Sequence, residues 1–484
     1  MRALSPLLAP CVLSAALAAC AAPERPLPAR PDARPPSRSA PTPSATTSIG
    51  GVELANGPLR VRELLDALLR RNPSLAGARA RIDGAAALLA EAESALRPRL
   101  ELSTALMRSD APSTFLFQTI DAHRLAPAQD FNHPGTIDAL QAGAGFRWNL
   151  WRGGQDALRR DAAGEEVTAR ASDAAALVNA LSSAAIAAWL DARAAEELLA
   201  ADDASLASLR AQLEDARARV AAGSALRSDE LTLAVRVSEA EERRLRTVSA
   251  RKLALAALRA LLALPPGATL EFAGAADDEL TFGPEPATPE AARDEAWRAR
   301  PELAAVRRRL IAARDARAAA DRAWRPSLDA EARAWAVDDH GGVDFGDTNA
   351  EARLVLSWAL LDGGSRRAAA SARDAELRAL EAERERLELA TGLEVEAALI
   401  GLEEARARST VAEGALAAAE ETLELVDRQF RGGSAPVTRF LEAEADRTRA
   451  RAETVRAKID VQRARAELAR ALGRFSNGSM ETVR

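Results

Sequence analysis

The sequence predicts a mainly α-helical chain with a small membrane β-structure, built from two copies of one helix–strand–strand–helix plan. Three observations predict it. Ala, Leu, Arg and Glu dominate, 28% of residues are charged, and aromatics are only 4% with no Tyr among 484 residues; that is the composition of long helices rather than of a compact core. Marker motifs recur at fixed offsets, the signature of an internal repeat. Four stretches of about ten residues alternate between apolar and polar, a period of two that belongs to strands with one apolar face. At roughly 150 residues per domain the length allows about three compact units or one extended architecture.

The first element is an export signal over residues 1–19. Arg2 supplies the charge, and 3–19 is mostly apolar but short and interrupted by Pro6 and Pro10, unlike a permanent span. It ends in Leu17-Ala18-Ala19-Cys20, which resembles the lipobox of bacterial lipoproteins. That resemblance implies diacylation of Cys20, cleavage before it, and, because Ala21 rather than Asp follows, an outer-membrane destination. Acyl chains anchor at about 0.8 kcal/mol per buried CH₂. Cys11 lies in the removed segment, so no free cysteine is expected in the mature chain. The remainder of 20–57 is a tether whose residues 22–49 are rich in Pro, Arg, Ser and Thr, with Pro23, Pro26, Pro28, Pro31, Pro35, Pro36, Pro41 and Pro43. As polyproline II, 28 residues reach roughly 85 Å. No later stretch reads as a transmembrane helix.

The repeats occupy 58–264 and 289–473, with a linker over 265–288 and a tail over 474–484. Asn72-Pro73 opens a helical run that closes at Arg97-Pro98; Arg300-Pro301 and Arg325-Pro326 do the same 228 positions on. The segment 148–154 (WNLWRGG) recurs as 358–364 (WALLDGG), 210 positions on, and Gly223-Ser224-Ala225 recurs as Gly433-Ser434-Ala435 at the same offset. First helices are expected at 60–96 and 289–324, ending where a pre-proline residue leaves the helical region. Long helices follow at 154–220 and 364–430, each about 100 Å at 1.5 Å per residue, with return helices at 226–263 and 436–472. Val395, Leu402, Ser409, Leu416, Leu423 and Phe430 share one heptad position, and Ala398, Ala405, Ala412, Ala419 and Val426 follow three residues later. Large and small residues thus alternate along a close-packed seam; Leu206, Leu209, Leu213, Ala216 and Val220 continue it in the first half.

The strands lie near 100–107, 141–151, 328–336 and 350–358. Ala142, Ala144, Phe146, Trp148 and Leu150 share one face against Gln141, Gly143, Gly145, Arg147 and Asn149. Leu328, Ala330, Ala332, Ala334 and Ala336 oppose Asp329, Glu331, Arg333 and Trp335; Ala350, Ala352, Leu354, Leu356 and Trp358 oppose Glu351, Arg353, Val355 and Ser357. Apolar-out, polar-in strands of this length suit a membrane barrel wall; a soluble sheet hiding one face is the other reading. Trp148, Trp151, Trp335 and Trp358 are candidate interfacial anchors. Four strands cannot close a barrel whose edges must meet, so several chains must share one: two would supply eight strands, three would supply twelve.

Taken together, the lipobox, the two helix–strand–strand–helix halves, the Gly-Gly after each second strand and the Gly-Ser turns resemble the TolC-like outer-membrane efflux protein family over about residues 58–473. The resemblance implies a homotrimer with a twelve-stranded outer-membrane barrel, four strands per chain, continued by a long α-helical coiled-coil tunnel through the periplasm. It implies a periplasmic adaptor and an inner-membrane transporter, proton-driven, as partners, and passive export of small molecules such as drugs or metals. In the family an Asp commonly lies six residues beyond the turn Gly and closes the tunnel. Asp229 fits; Arg439 departs from the pattern, with Glu442 three residues later. Asp229, Arg439 and Glu442, with Phe430 on the preceding apolar position, are the gate candidates. Gly223, Ser224, Ala225, Gly433, Ser434 and Ala435 are the adaptor-docking tips.

Loops over 108–140 and 337–348 hold all three histidines, His123, His133 and His340, in no metal-ligand spacing. Phe115, Phe117 and Phe131 make the first loop partly apolar, fit to cover a pore mouth or a neighbour. No P-loop, G-x-S-x-G, H-E-x-x-H or dinucleotide fingerprint occurs, so no catalytic residue, metal or cofactor is assigned. The formal net charge of -6 lacks the strongly basic balance of a nucleic-acid binder. The alternative reading is a lipid-anchored periplasmic coiled-coil scaffold or adaptor without a pore.

Overall fold

The computed structural model describes residues 46–49, 52–55, 60–125, 130, 132–224, 226–272, 280, 282–338, 348–432 and 434–476. The export signal, Cys20, Phe131, Ala225, His340 and Gly433 lie outside them. Inside the expected tether, β1 (Thr46–Ile49) pairs antiparallel with β2 (Val52–Ala55). The remaining order is α1 (Val61–Arg71), α2 (Pro73–Ser94), β3 (Arg99–Ser109), α3 (Pro112–Asp121), β4 (Ile137–Arg152), α4 (Gln155–Ala221) and α5 (Arg227–Leu261) in the first half. In the second half come α6 (Pro289–Ala299), α7 (Pro301–Asp321), β5 (Ser327–Asp338), β6 (Thr348–Ser357), α8 (Ser365–Arg431) and α9 (Val437–Ala471). The chain divides into two compact units: Leu89–Asp161 with Asp315–Arg373, and Ser44–Leu88 with Ala162–Arg314 and Asp374–Arg484.

The first unit holds the four-stranded sheet, an antiparallel meander in the order β3-β4-β5-β6. Its register carries the duplication. Leu100 stands opposite Phe146 between β3 and β4, and Leu328 opposite Leu356 between β5 and β6, the same pairing moved by 228 and 210 positions. A period of two makes register unforgiving, because a slip of one residue would turn every side chain to the other face. The expected first loop is shorter than 108–140. β3 and β4 run to Ser109 and from Ile137, and α3 starts with Pro112 at a position where a missing N–H costs nothing. Phe115 packs there with Met107, Ala122, Ile137, Ala139, Val337 and Trp335, so part of the loop's apolar content is absorbed within its own unit.

The helical unit corrects one boundary and explains it. Each expected first helix is two helices, broken at Asn72-Pro73 and Arg300-Pro301, where the pre-proline residues turn to extended backbone (ψ 122° and 123°). Both break residues are buried and bonded. Asn72 Oδ1 accepts from Ser74 N at 2.9 Å while its amide donates to Leu261 O at 2.9 Å. Arg300 donates to Glu394 at 2.6 Å and to Glu302 at 3.4 Å. Burial works to lower the Arg300 guanidinium, but those hydrogen bonds outweigh it and hold its pKa above the ordinary value.

The long helices α4 and α8 have 67 residues each and the return helices α5 and α9 have 35 each. Equal lengths at a constant 210-residue offset make them true counterparts. The heptad seam is the least exposed face of α8: Val395, Ala398, Leu402, Ala405 and Val426 are buried, and Ser409, Ala412, Leu416, Ala419, Leu423 and Phe430 half-buried. One 18-residue window of α4, mean hydropathy 1.4, is apolar enough to cross a membrane by composition. Its helix instead places Ile186, Trp189 and Leu190 in a core with Leu64, Leu68, Leu258 and Leu262. The linker joins that core through Leu270, Leu280 and Phe282, and the start of the tail joins it through Phe475, whose ring meets Phe282 edge to face at 5.5 Å.

Candidate functional site

The sheet separates its two faces as the alternation requires. Register aligns Leu102, Ala144, Ala334 and Ala350 in one row and Leu100, Phe146, Ala332 and Ala352 in the next. This face is open: Leu102 is 79% exposed, Leu106 83% and Leu354 70%. Exposed leucine in bulk on one sheet face is unfavourable in water at about 25 cal/mol per Å² and favourable against hydrocarbon.

The other face is polar and internally paired. Glu331 accepts from Arg147 on one side at 3.3 Å and from Arg353 on the other at 2.6 Å, a charge ladder across three strands. Sequence alternation marked these residues as polar but not as a ladder, which needs the strand order. Gly143 lies on this face under Trp335. A Cβ on Gly143 would stand 2.9 Å from Ala334 O and 3.0 Å from Trp335 Cβ, so only glycine fits. Trp335 Nε1 donates to Asp121 at 3.3 Å, and Arg333 lies over the ring at 4.9 Å. Trp335 therefore departs from the expected set of lipid-facing anchors. Its odd position in β5 places it with Asp329, Glu331 and Arg333, a signal already present in the alternation.

The other three tryptophans lie at one end of the strands and are 40–55% exposed. Trp148 Nε1 donates to Leu96 O at 3.1 Å, and Trp358 Nε1 donates to Trp324 O at 2.8 Å. The two bonds are repeat counterparts, each to the carbonyl of the residue immediately before an Arg-Pro. An indole with its N–H bonded and its ring exposed suits a membrane–water interface. Trp151 follows a register shift after Asn149 and stands opposite Leu328.

The hairpin tips also match between repeats. Gly223 (φ +71°) takes the left-handed conformation that ends α4, and Ser224 N donates to Arg219 O at 2.9 Å; Ser434 N donates to Gln429 O at 2.9 Å after α8. Both serine hydroxyls bond back to the same carbonyls. Phe430 stacks on Phe440 at 5.3 Å within an apolar cluster holding Leu213, Leu233, Val426 and Leu441. Arg439 pairs with Glu442 at 3.5 Å on the exposed side of α9. Asp229 is half-buried in the first turn of α5. The charges buried near the tips are others. Glu230 is held by Arg227 and, at 3.6 Å, by Arg217; Glu444 is held by Arg447 at 2.9 Å. Residue type alone does not distinguish Glu230 from its neighbour Asp229; helix phase against the opposing hairpin does.

Two helix faces remain apolar and exposed. On α8, Leu389, Leu393, Ile400, Val411 and Leu425 fall on one line opposite the buried seam, and on α5 so do Leu231, Val235, Leu245 and Leu253. Among the described residues the histidines form no cluster: His123 follows α3, and His133 pairs with Asp130 at 3.5 Å.

Residues 292–474 match the family model described as outer membrane efflux protein. No curated protein matches the chain. Among solved structures, the open state of the Neisseria gonorrhoeae MtrE outer membrane channel shares 19% identity at TM-score 0.73, covering 86% of this chain and 89% of its own. The Campylobacter jejuni CmeC outer membrane channel shares 14% at TM-score 0.73, covering 92% and 96%. The Vibrio cholerae outer membrane protein VceC shares 18% at TM-score 0.71, covering 85% and 96%. The second repeat is thus similar to the outer membrane efflux protein family, and the chain as a whole shares the fold of these solved outer membrane channels.

Proposed function

We propose that this protein is the outer-membrane channel of a tripartite efflux or secretion system. It is a homotrimer that conducts small molecules, drugs or metals, passively from a periplasmic adaptor and a proton-driven inner-membrane transporter to the exterior. The observation that carries the reading is the sheet: one face apolar and exposed, the other polar and charge-laddered, with no strand among the described residues on the outer edges of β3 and β6. Open edges in hydrocarbon are not tolerated, and closure removes them. Three copies give twelve strands, enough to surround a lumen. Cys20 carries the lipid anchor, and the Gly-Ser tips meet the adaptor.

Asp229, Arg439, Glu442 and Phe430 close the tunnel in this reading. Phe430 is tied to Phe440, while Arg439 and Glu442 are exposed in one chain and free to meet another copy. Planar-bilayer recording of the purified full-length protein tests both points. Low resting conductance is expected, rising severalfold in Arg439→Ala and Asp229→Ala. Unchanged conductance in both variants removes the gate assignment; absence of any pore, with a folded protein in detergent-free buffer, favours the scaffold.

A further inference from the structure

The two hairpins of the sheet differ in what joins their strands. The offset between the halves falls from 228 at the Arg-Pro markers to 210 at the Gly-Gly markers. The excess lies between β3 and β4, where α3 stands.

Parity says which face of the sheet α3 stands on. Trp335 pairs with Gly143 on one side and Asn349 on the other, all on the face of the charge ladder. At the end of α3 the Asp121 carboxylate accepts from Trp335 Nε1 at 3.3 Å, and its backbone oxygen accepts from Asn349 Nδ2 at 2.8 Å. Met107, Ile137, Ala139 and Val337 share that parity, yet they are apolar where alternation calls for polar residues. The helix explains them. Ile137, Ala139 and Val337 are each at most 4% exposed, packed with Phe115 and Ala122. Before the helix, Ala111 N donates to Ser109 Oγ at 3.2 Å; after it, Arg124 pairs with Asp338 at 3.9 Å. Both ends of α3 are thus fixed against the polar face.

The far side of α3 is apolar and open. Ser113, Phe117 and Ile120 fall on one line of the helix, with Phe117 63% and Ile120 42% exposed, while Thr119 on the near side is 7% exposed. No charge occurs in α3 before Asp121. Further along the same sheet face the side chains are Arg147, Glu331 and Arg353. A solute moving along this face passes ions and then meets one exposed apolar surface at its end.

We propose that α3 lies inside the barrel at its outer mouth, and that Phe117 and Ile120 form an apolar exit site for the apolar part of an organic molecule in transit. The polar face is the bore of the barrel, and the strand ends at Trp148 and Trp358 lead to the long helices, so α3 is at the opposite, outward end. Twelve strands about 4.8 Å apart and tilted about 40° enclose a circle roughly 24 Å across. A helix with its side chains is about 10 Å thick, so a helix laid on the wall brings its far side close to the axis. An apolar constriction sheds water and impedes hydrated ions, whereas apolar solute surface is favoured there. The inference rests on the channel reading above and selects organic cargo over metal ions within it.

Thiol labelling of intact cells tests it in the full-length protein, whose mature chain is expected to hold no free cysteine. Ser113→Cys keeps Phe117 and Ile120 in place and reports on their side of α3; His133→Cys, at a side chain 88% exposed, reports on the open loop. His133→Cys is expected to react with both a small charged thiosulfonate and a polyethylene-glycol maleimide. Ser113→Cys is expected to react with the small reagent only. Tetraphenylphosphonium should slow that reaction severalfold, tetramethylammonium should not, and Phe117→Ser should abolish the protection. If Ser113→Cys reacts with both reagents or with neither while His133→Cys reacts with both, α3 is not in the bore and the channel reading stands. Restricted access without protection by tetraphenylphosphonium overturns the apolar site. If His133→Cys reacts with neither reagent, the loop is not at the cell surface, and the channel reading falls too.

Discussion

Single positions in this chain are explained by what stands opposite them. Gly143 is glycine because the backbone oxygen of Ala334 and the Trp335 side chain fill the space a Cβ would need. Gly143→Val forces that contact apart, and overpacking of this kind costs typically about 1–3 kcal/mol. The expected result is a lower urea midpoint for the folded protein in detergent, with Gly145→Val, whose nearest neighbour is 4.0 Å away, far less affected. Asn72 and Arg300 show the reverse relation: equivalent positions solve one problem with different chemistry. Each leaves the helix before a proline and is buried, one through its amide to a carbonyl, the other through its guanidinium to two carboxylates. The proline made the break legible in the sequence. The partners, Leu261 and Glu394, are 189 and 94 positions away and were not.

Among the elements, the strands and long helices were the most legible, because period two and the heptad are local patterns repeated many times. The strands differ from expectation mainly at their ends, where β4 gains Ile137–Leu140 through pairing with Met107 and its neighbours in β3. The two first helices were read as continuous because their apolar spacing continues across the proline. The functional meaning of the sheet lies in its parity. Leu102→Arg places a charge on the apolar face, at about 2–4 kcal/mol if it sits at mid-bilayer. Ser103→Arg, one position on, points to the polar face and is expected to cost well under half of that. Refolding into phospholipid vesicles under a urea gradient measures both; equal costs would mean that the sheet does not face lipid.

For the molecule as a whole, the telling feature is apolar surface with no use inside one chain. Ile400 is 58% exposed on the side of α8 away from its packed seam. Ile400→Glu should leave helix content and monomer stability unchanged and weaken association by about 2 kcal/mol per joint, the burial worth of such a side chain. Sedimentation in dilute detergent, with circular dichroism as the control, distinguishes this from misfolding.

Local pattern was enough to identify the duplication, the four strands with their two faces, the long helices and the turns between them, because each is written in residues a few positions apart. How the Trp335 indole is tied, through Asp121 214 positions away, and why Gly143 is irreplaceable, against Ala334 and Trp335, depended on pairs distant in the chain, and which carboxylates are buried near the tips depended on helix phase. Distance along the chain sets no rule for those meetings; strand order and helix phase do, and these exist only once the two halves have packed.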